Sequence, residues 1–494
     1  MINISSLLIF LTSIGITFAE DSTSDKVVAE PKISETTKTI NKFTYLVYPL
    51  LLILLFWGSK PFGLKKWNEE ALSLKQMKAI QGFISLCIMF HHIGQRTCAN
   101  WLPPEKFISH GLDFFVPIGY CFVAIFFFCS GYGLYLSFHK KQNYLDGFFK
   151  KRVFIVILSY YTSGYIFLAL RFIMRQQIDS KLLLYYLIGV KMSNPHAWFV
   201  VVMPLLYLFF YLSFRFCKKD GRAVLSLFLC VIVYIMLCSC INHGDWIFCG
   251  EWWYNSVIFL PLGVLFSKYQ KAIVNHLKHH FTLYYVYTVL AFAGVFLIHE
   301  ISLVTVEKFS YYGEVQNYDY VAMRRWICAF SQICVAIAFI SIVFLVSMKI
   351  LIGNRFLGFM GTITLEFYLI HGIFLEPYFD TLAPPLYEIK NVPLLILIVF
   401  IPAIIAAVLL KKFHQWILSM VNPKKTATHV KNNDSNGADS KIEKDKDEVS
   451  QKLTMGKESS EKNSNDCIVE LVLDEEDNDD DSNSQKENTK ENIN

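Results

Sequence analysis

The chain has 494 residues, of which 54% are hydrophobic and 16% are aromatic, and long apolar runs recur along it. This composition excludes a soluble globular protein and predicts an all-α polytopic membrane protein, so the lipid bilayer is its first expected partner. The formal net charge of +5 indicates no nucleic-acid partner, because the basic residues are spread over loops and the acidic ones gather in the C-terminal tail.

The N-terminal residues predict export. Residues 1–19 contain a short apolar stretch, Leu7 to Phe18, that ends before polar sequence as a cleaved signal peptide does, although no basic residues precede it. Residues 20–42 are rich in Ser, Thr, Lys and Glu, which predicts a short disordered exoplasmic segment. We therefore expect a multi-pass membrane protein of the secretory pathway or the cell surface.

Eleven apolar stretches then follow, which we interpret as one leading transmembrane helix and a ten-helix core. The predicted spans are 43–57, 79–93, 112–138, 153–173, 197–214, 223–241, 253–267, 282–299, 326–348, 356–376 and 392–410. Alternate loops, beginning with 58–78, carry more than twice as many Lys and Arg residues as the opposite loops. The positive-inside rule places these loops and the C-terminus in the cytosol.

From residue 422 to residue 494 the chain is dominated by Lys, Asp, Glu, Asn and Ser, which predicts a disordered cytosolic tail. Within it, the apolar stretch 467–473 precedes an acidic run that ends at Asp481. Such a pattern favours strand addition to the sheet edge of a protein partner, for example a ubiquitin-like modifier. The alternative is an incidental apolar patch in an acidic tail.

Ionisable residues inside predicted spans mark the candidate site. His91 and His92 end one apolar run, and His371 ends a second one. Such residues are costly at membrane depth and usually serve a function, although histidines near span ends also bond interfacial water or lipid headgroups. The twelve cysteines show no metal spacing and no CxxC pair, and no phosphate-binding glycine loop is present, so we expect neither a metal site nor nucleotide hydrolysis.

Five short motifs occur in order along residues 75–412. They are the stretch from Lys78 to His92, the aromatic run Phe126–Leu134 with its Ser-Gly pair, the basic segment Phe148–Arg152, the segment His196–Phe199, and the stretch from Leu357 to His371. In this order they resemble the acyltransferase-3 family, integral membrane enzymes that move acyl groups, often acetyl, from coenzyme A to sugars, lipids or other acceptors. Two positions depart from the family pattern, because Gln81 and Ile155 stand where it has basic residues, and Lys78 and Lys151 lie close enough to replace them.

The resemblance implies three groups of site residues. The catalytic group is His92 as general base, His371 as a residue that orients the acceptor or stabilises the oxyanion, and Glu366. Residues implied to bind acyl-CoA, which is a co-substrate and not a resident cofactor, are Lys78, Lys150, Lys151, Arg152, Ser130 and Gly131. Residues implied to bind the acceptor are Trp198, His196 and Tyr368.

Each assignment has an alternative. Ser130 and Gly131 also suit close contact between helices. Trp198 also suits an aromatic anchor at the membrane interface. The basic segment that ends at Arg152 also suits an anchor that binds anionic lipid.

Helix geometry agrees with a catalytic site. At a rise of about 1.5 Å per residue, His92 and His371 lie about 20 Å from the cytosolic ends of their helices, so they share a depth near the exoplasmic face. The cytosolic lysines and Arg152 are suited to hold the phosphates of coenzyme A. Glu366 lies some 140° around the helix from His371, so its partner is expected on another helix.

The residues therefore predict an O-acyltransferase that moves an acyl group, acetyl above all, from cytosolic acyl-CoA to a hydroxyl of an exoplasmic glycan or lipid. A neutral imidazole suits the deprotonation of a hydroxyl, and both direct transfer and a covalent acyl-enzyme remain open. One alternative is a proton-coupled transporter, which should show two related halves. The other is a membrane scaffold that acts through its tail.

Overall fold

The computed structural model describes residues 42–241, 250–309 and 320–421. The signal peptide predicted over 1–19, nearly all of the segment 20–42 and the tail 422–494, with its partner motif at 467–481, lie outside the described residues.

Within the described ranges the chain is mostly helical, and its strands form one short pair. The helices are α1 Val47–Phe56, α2 Leu74–Thr97, α3 Gly119–Lys140, α4 Phe154–Ile173, α5 Ser180–Leu187, α6 Trp198–Phe216, α7 Asp220–Cys240, α8 Phe259–His279, α9 Phe281–Lys308, α10 Val321–Ser347, α11 Arg355–Thr362, α12 Thr364–Ile370 and α13 Val392–Val421. The described strands are β1 Lys60–Pro61 and β2 Ile350–Leu351, an antiparallel pair in which Lys60 lies opposite Leu351.

Seven of the described helices are long and apolar enough to cross a membrane, namely α3, α4 with the turn before it, α6, α7, α9, α10 and α13. An eighth span results if α11 and α12 are counted as one broken helix. These helices confirm the prediction of an all-α polytopic membrane protein. The eleven-span count stays a prediction.

Helix α2, Leu74–Thr97, contains the predicted span 79–93 and extends beyond both of its ends, yet it is too polar to count as a span by composition. Its polar residues include Gln76, Lys78 and Gln81, and all three are buried. A helix that other helices surround needs no apolar face toward lipid, so polar residues are tolerated on most of its surface. This central position of α2 determines where the candidate site lies.

Glycines bring neighbouring helices into backbone contact. A Cβ atom on Gly82 of α2 would lie 2.3 Å from the carbonyl oxygen of Leu357, and one on Gly361 of α11 would lie 2.1 Å from that of Lys78. The same relation holds between α3 and α8, where a Cβ on Gly131 would lie 1.9 Å from the carbonyl oxygen of Leu260. Small residues at such contacts are typical of membrane helix packing.

The predicted span 356–376 is broken. Helices α11 and α12 meet at a bend of 69°, at the point where Thr362, Ile363 and Thr364 follow one another. Three successive β-branched residues are poor helix formers because their side chains crowd the preceding turn. The bend directs α12 into the bundle interior, where His371 follows its last residue and begins a short 3-10 helix.

The contact between α2 and α11 provides a test of this packing. We expect Gly361→Ala to lower stability by about 1–3 kcal/mol, because its methyl group meets a backbone carbonyl that cannot move aside. The matched control is Gly358→Ala on the same helix, where a Cβ meets no atom within 4 Å. Thermal unfolding in detergent compares the two variants, and equal melting temperatures would contradict the close approach of α2 and α11.

Candidate active site

Three imidazoles from three separate segments form one cluster. His92 of α2, His196 before α6 and His371 after α12 each offer a ring nitrogen, and these three nitrogens lie within 4.8 Å of one another. The ring centroid of His92 lies 4.5 Å from that of His196 and 5.1 Å from that of His371. The shared depth predicted for His92 and His371 is confirmed by this contact.

Each imidazole donates one N–H to a fixed oxygen. Nδ1 of His371 donates to the carbonyl oxygen of Phe367 at 3.1 Å, and Nδ1 of His92 faces Oε1 of Gln95 at 3.3 Å. Nε2 of His196 donates to Oε1 of Glu376 at 3.2 Å. A carbonyl or carboxylate oxygen can only accept a hydrogen bond, so the nitrogen that faces it carries the proton. The other nitrogen of each neutral ring then has a lone pair.

The second nitrogens differ in their surroundings. His371 is wholly buried, and its Nε2 has no hydrogen-bond partner among the described residues. His92 is half-buried and is the most exposed residue of the cluster. A buried nitrogen without a hydrogen-bond partner costs free energy. The cluster is therefore suited to receive a ligand or substrate group that bonds Nε2 of His371.

Glu376 is the carboxylate that orients the cluster. Besides His196, its Oε1 accepts a hydrogen bond from Nη2 of Arg96 at 3.1 Å, and its Oε2 accepts one from the hydroxyl of Thr381. Sequence reasoning missed both Glu376 and Arg96. Two signals were available, because Arg96 lies one helical turn after His92 and Glu376 lies within the predicted span 356–376.

His196 is held in place by its neighbours. Asn194 accepts a hydrogen bond from the backbone N–H of His196 and donates one to the carbonyl oxygen of Leu369, which ties this loop to the end of α12. The ring lies against Gly372, where a Cβ would come within 2.3 Å of the His196 Cδ2 atom. Only glycine at position 372 leaves space for this imidazole.

The other residues predicted for the acceptor lie beside the cluster or just behind it. Tyr368 packs 6.3 Å from the His371 ring, and its buried hydroxyl has no partner among the described residues. Trp198 is buried against Phe127 and Phe199, so it packs in the helix bundle instead of anchoring the membrane interface. Tyr368 therefore offers a hydrogen bond near the imidazoles, and Trp198 fixes the start of α6.

Glu366 does not join the cluster. Its Oε1 lies 3.2 Å from Nδ1 of His414 on α13, and Nε2 of His414 lies 2.8 Å from the hydroxyl of Thr162. The prediction that its partner lies on another helix is confirmed. His91 also turns away, since its Nδ1 donates to the carbonyl oxygen of Phe115 and its ring packs on Gly119.

The residues predicted for the donor lie apart from the imidazoles. Lys78 is fourteen residues before His92 on α2, about 21 Å along the helix axis. Arg152 is buried and lies 5.7 Å from the ring of Tyr144, whereas Lys150 and Lys151 are exposed.

The Ser-Gly pair has packing partners. Gly131 contacts α8, and the hydroxyl of Ser130 lies 3.4 Å from that of Tyr207. Their predicted role in donor binding stays a prediction.

Comparison with known proteins bears on this arrangement. A family model described as an acyltransferase domain, of the acyltransferase 3 type, matches residues 74–412. The chain belongs to this family. The match begins at α2 and ends within α13, so it contains all three imidazoles and Glu376. Neither the curated proteins nor the solved structures give a match.

The family and the apolar helices together make this chain a membrane acyltransferase. An acyltransferase needs a base for its acceptor, and three imidazoles in ring contact, two of them buried and one half-buried, suit that task.

The Glu366–His414 pair leads to a stability prediction. Both side chains are buried, so His414→Ala leaves a carboxylate without its partner, and we expect it to destabilise the protein by about 3–5 kcal/mol. Thr162→Val removes only the hydroxyl that Nε2 of His414 meets and leaves the carboxylate its partner, so it should cost about 1–2 kcal/mol. Thermal unfolding in detergent distinguishes them, and adding Glu366→Gln to His414→Ala should recover much of the loss. Equal stability of the two single variants would exclude a buried charge pair.

Proposed function

We propose that this protein is an acyl-CoA-dependent O-acyltransferase that moves an acyl group, acetyl above all, to a hydroxyl of an exoplasmic or membrane-bound glycan or lipid. The observation that carries the proposal is the cluster of His92, His196 and His371 within a chain of the acyltransferase 3 family. The proposed location is a multi-pass protein of the secretory pathway or cell surface with a cytosolic C-terminus.

The reaction needs a base for the acceptor hydroxyl. His92 is suited to this task because its Nδ1 faces the amide oxygen of Gln95, which leaves the lone pair of Nε2 for the proton. The freed alkoxide oxygen attacks the thioester carbonyl carbon, the C–S bond breaks, and the proton passes from His92 to the leaving thiolate. The products are an O-acyl ester and free coenzyme A.

The remaining side chains of the cluster support this step. His196 joins His92 to Glu376, so the positive charge that develops on the imidazoles meets a carboxylate. The Tyr368 hydroxyl has no partner among the described residues and its ring lies 6.3 Å from that of His371, so it is suited to bind the acceptor or the thioester oxygen. Arg96 neutralises Glu376 and is partly exposed, so it is also positioned to meet a polar acceptor.

The donor is proposed to enter from the opposite face. Arg152, Lys150 and Lys151 form a basic segment at the start of α4, and Lys78 lies near the start of α2. Phosphates of coenzyme A held there leave the thioester arm to extend along α2 toward His92. The distance of about 21 Å along this helix suits an extended arm and not a compact ligand.

The base assignment predicts a large loss of transfer in His92→Ala. Removal of a general base typically lowers the rate by about 10²–10⁴-fold. The measurement uses purified protein in lipid, radiolabelled acetyl-coenzyme A and a crude cellular extract of glycans and lipids, and it follows label moving into the extract and release of free coenzyme A.

The matched control is His91→Gln, since the neighbouring imidazole bonds a backbone carbonyl and stays outside the cluster. This variant should keep transfer close to wild-type. A folded His92→Ala protein that still transfers at the wild-type rate would rule out His92 as the base.

The donor site predicts a separate effect. Arg152→Gln removes a charged partner for phosphate and should weaken acetyl-coenzyme A binding by about ten- to a hundredfold, with a smaller effect on the rate at saturation. Lys218→Gln changes an exposed basic residue in another loop and should bind like wild-type. Equilibrium binding to protein with an unchanged melting temperature tests this, and equal affinities would move the donor site elsewhere.

A further inference from the structure

The imidazole cluster has a property that acyl transfer does not require. Its three histidines come from three segments, and each holds one N–H against a protein oxygen while the other nitrogen keeps its lone pair. A general base needs one such imidazole. Three of them converging on a common point form a ligand set.

We propose that His92, His196 and His371 together bind one divalent transition-metal ion of the zinc type. Three neutral imidazoles with a fourth position left open form a well-known coordination sphere for zinc. A tetrahedral ion at about 2.0–2.1 Å from each ligand requires nitrogens about 3.4 Å apart. One ring nitrogen of each histidine already lies within 4.8 Å of the other two, so side-chain rotations of modest size bring three nitrogens into range.

The oxygens behind the histidines support the proposal independently. Histidines that bind metals donate their other N–H to a carboxylate, a carbonyl or a similar acceptor, which fixes the tautomer and raises ligand basicity. All three positions follow this pattern, with Glu376 behind His196, the Phe367 carbonyl behind His371 and the Gln95 amide behind His92. Nε2 of His371 is buried without a partner among the described residues, and a metal ion would satisfy it.

The site has a defined access. His92 and Arg96 are the partly exposed members, while His371, His196 and Glu376 are buried. The exposed side of the cluster is therefore the side of His92 and Arg96, from which an ion would enter.

Metal binding has a consequence for the reaction. Coordination occupies the lone pair of His92 that the proposed function assigns to the acceptor proton, so the metal and the proton compete. A bound ion of the zinc type should then inhibit transfer reversibly. This consequence depends on the proposed function, whereas the binding of the ion does not.

The test uses the full chain purified without a polyhistidine tag, stripped with a chelator and titrated with Co²⁺, whose visible absorption reports tetrahedral nitrogen ligands. A second group of histidines could also bind Co²⁺, because His276, His279 and His280 are exposed and close together at the end of α8. These three residues are therefore replaced before the titration. The starting protein therefore carries H276Q, H279Q and H280Q. We expect it to retain about one equivalent of Co²⁺, which Zn²⁺ displaces.

Three variants in this background assign the site. His371→Gln should lose the retained Co²⁺, and His91→Gln should keep it. Glu376→Gln keeps all three ligands but changes the acceptor behind His196, so it should weaken Co²⁺ binding by about 10–100-fold. If His371→Gln fails to fold, His196→Gln and Glu376→Gln still carry the assignment.

Folded background protein that retains no Co²⁺ overturns the proposal, and so does a folded His371→Gln protein that retains as much as its parent. Bound Zn²⁺ should stop acyl transfer until a chelator removes it, and transfer unaffected by a retained equivalent would overturn the competition. Retention of Co²⁺ is measured without acyl transfer. A failure of the proposed acyltransferase activity can therefore be distinguished from a failure of the proposed metal site.

Discussion

The site depends on keeping polar side chains at membrane depth without exposing them to lipid. Helix α2 carries lysine, glutamine, arginine and histidine side chains along its length, and a helix of this composition is unstable against hydrocarbon. The glycine contacts with α11 bring the neighbouring backbone close enough to cover it. The most polar helix of the core is thereby surrounded by the more apolar ones, and His92 lies in its last two turns, where His196 and His371 meet it from other segments.

The broken span completes this arrangement. A straight helix over 356–376 would carry His371 and Glu376 on a single axis, on faces set by the helical repeat. The bend at Ile363 and the 3-10 helices after Ile370 instead let His371 contact His92 while Glu376 reaches both Arg96 and His196. Arg96 and Glu376 form an ion pair without net charge, so the buried network is balanced before any ligand or proton arrives.

Much of this fold could be predicted from the sequence because hydrophobic periodicity and length are local properties. The apolar runs gave the helices of the membrane domain, and the motif order predicted the family over nearly the residues that its model matches. The proximity of His92 and His371 was predicted from the family motifs and from their shared depth. The partners of these residues did not follow, since Glu376, Arg96 and Asn194 reach the cluster through the bend in one span and a loop before another. Neither feature has a periodic signal in the sequence. The three histidines of the proposed metal site are also far apart in the sequence, so a search for short metal-binding spacings did not find them.

The separation of the basic segments from the imidazoles fits the proposed acyl-CoA donor and the proposed exoplasmic acceptor. Acyl-CoA is made in the cytosol and is too polar to cross a bilayer, whereas the proposed acceptor lies on the other side. In the proposed arrangement the nucleotide phosphates stay with Arg152, Lys150 and Lys151. Only the thioester end of the donor then has to reach into the membrane domain. In this proposal the thioester arm meets the acceptor at His92 along a polar path beside α2, and Lys78, Gln81, His92 and Arg96 are the polar side chains of that helix suited to line it.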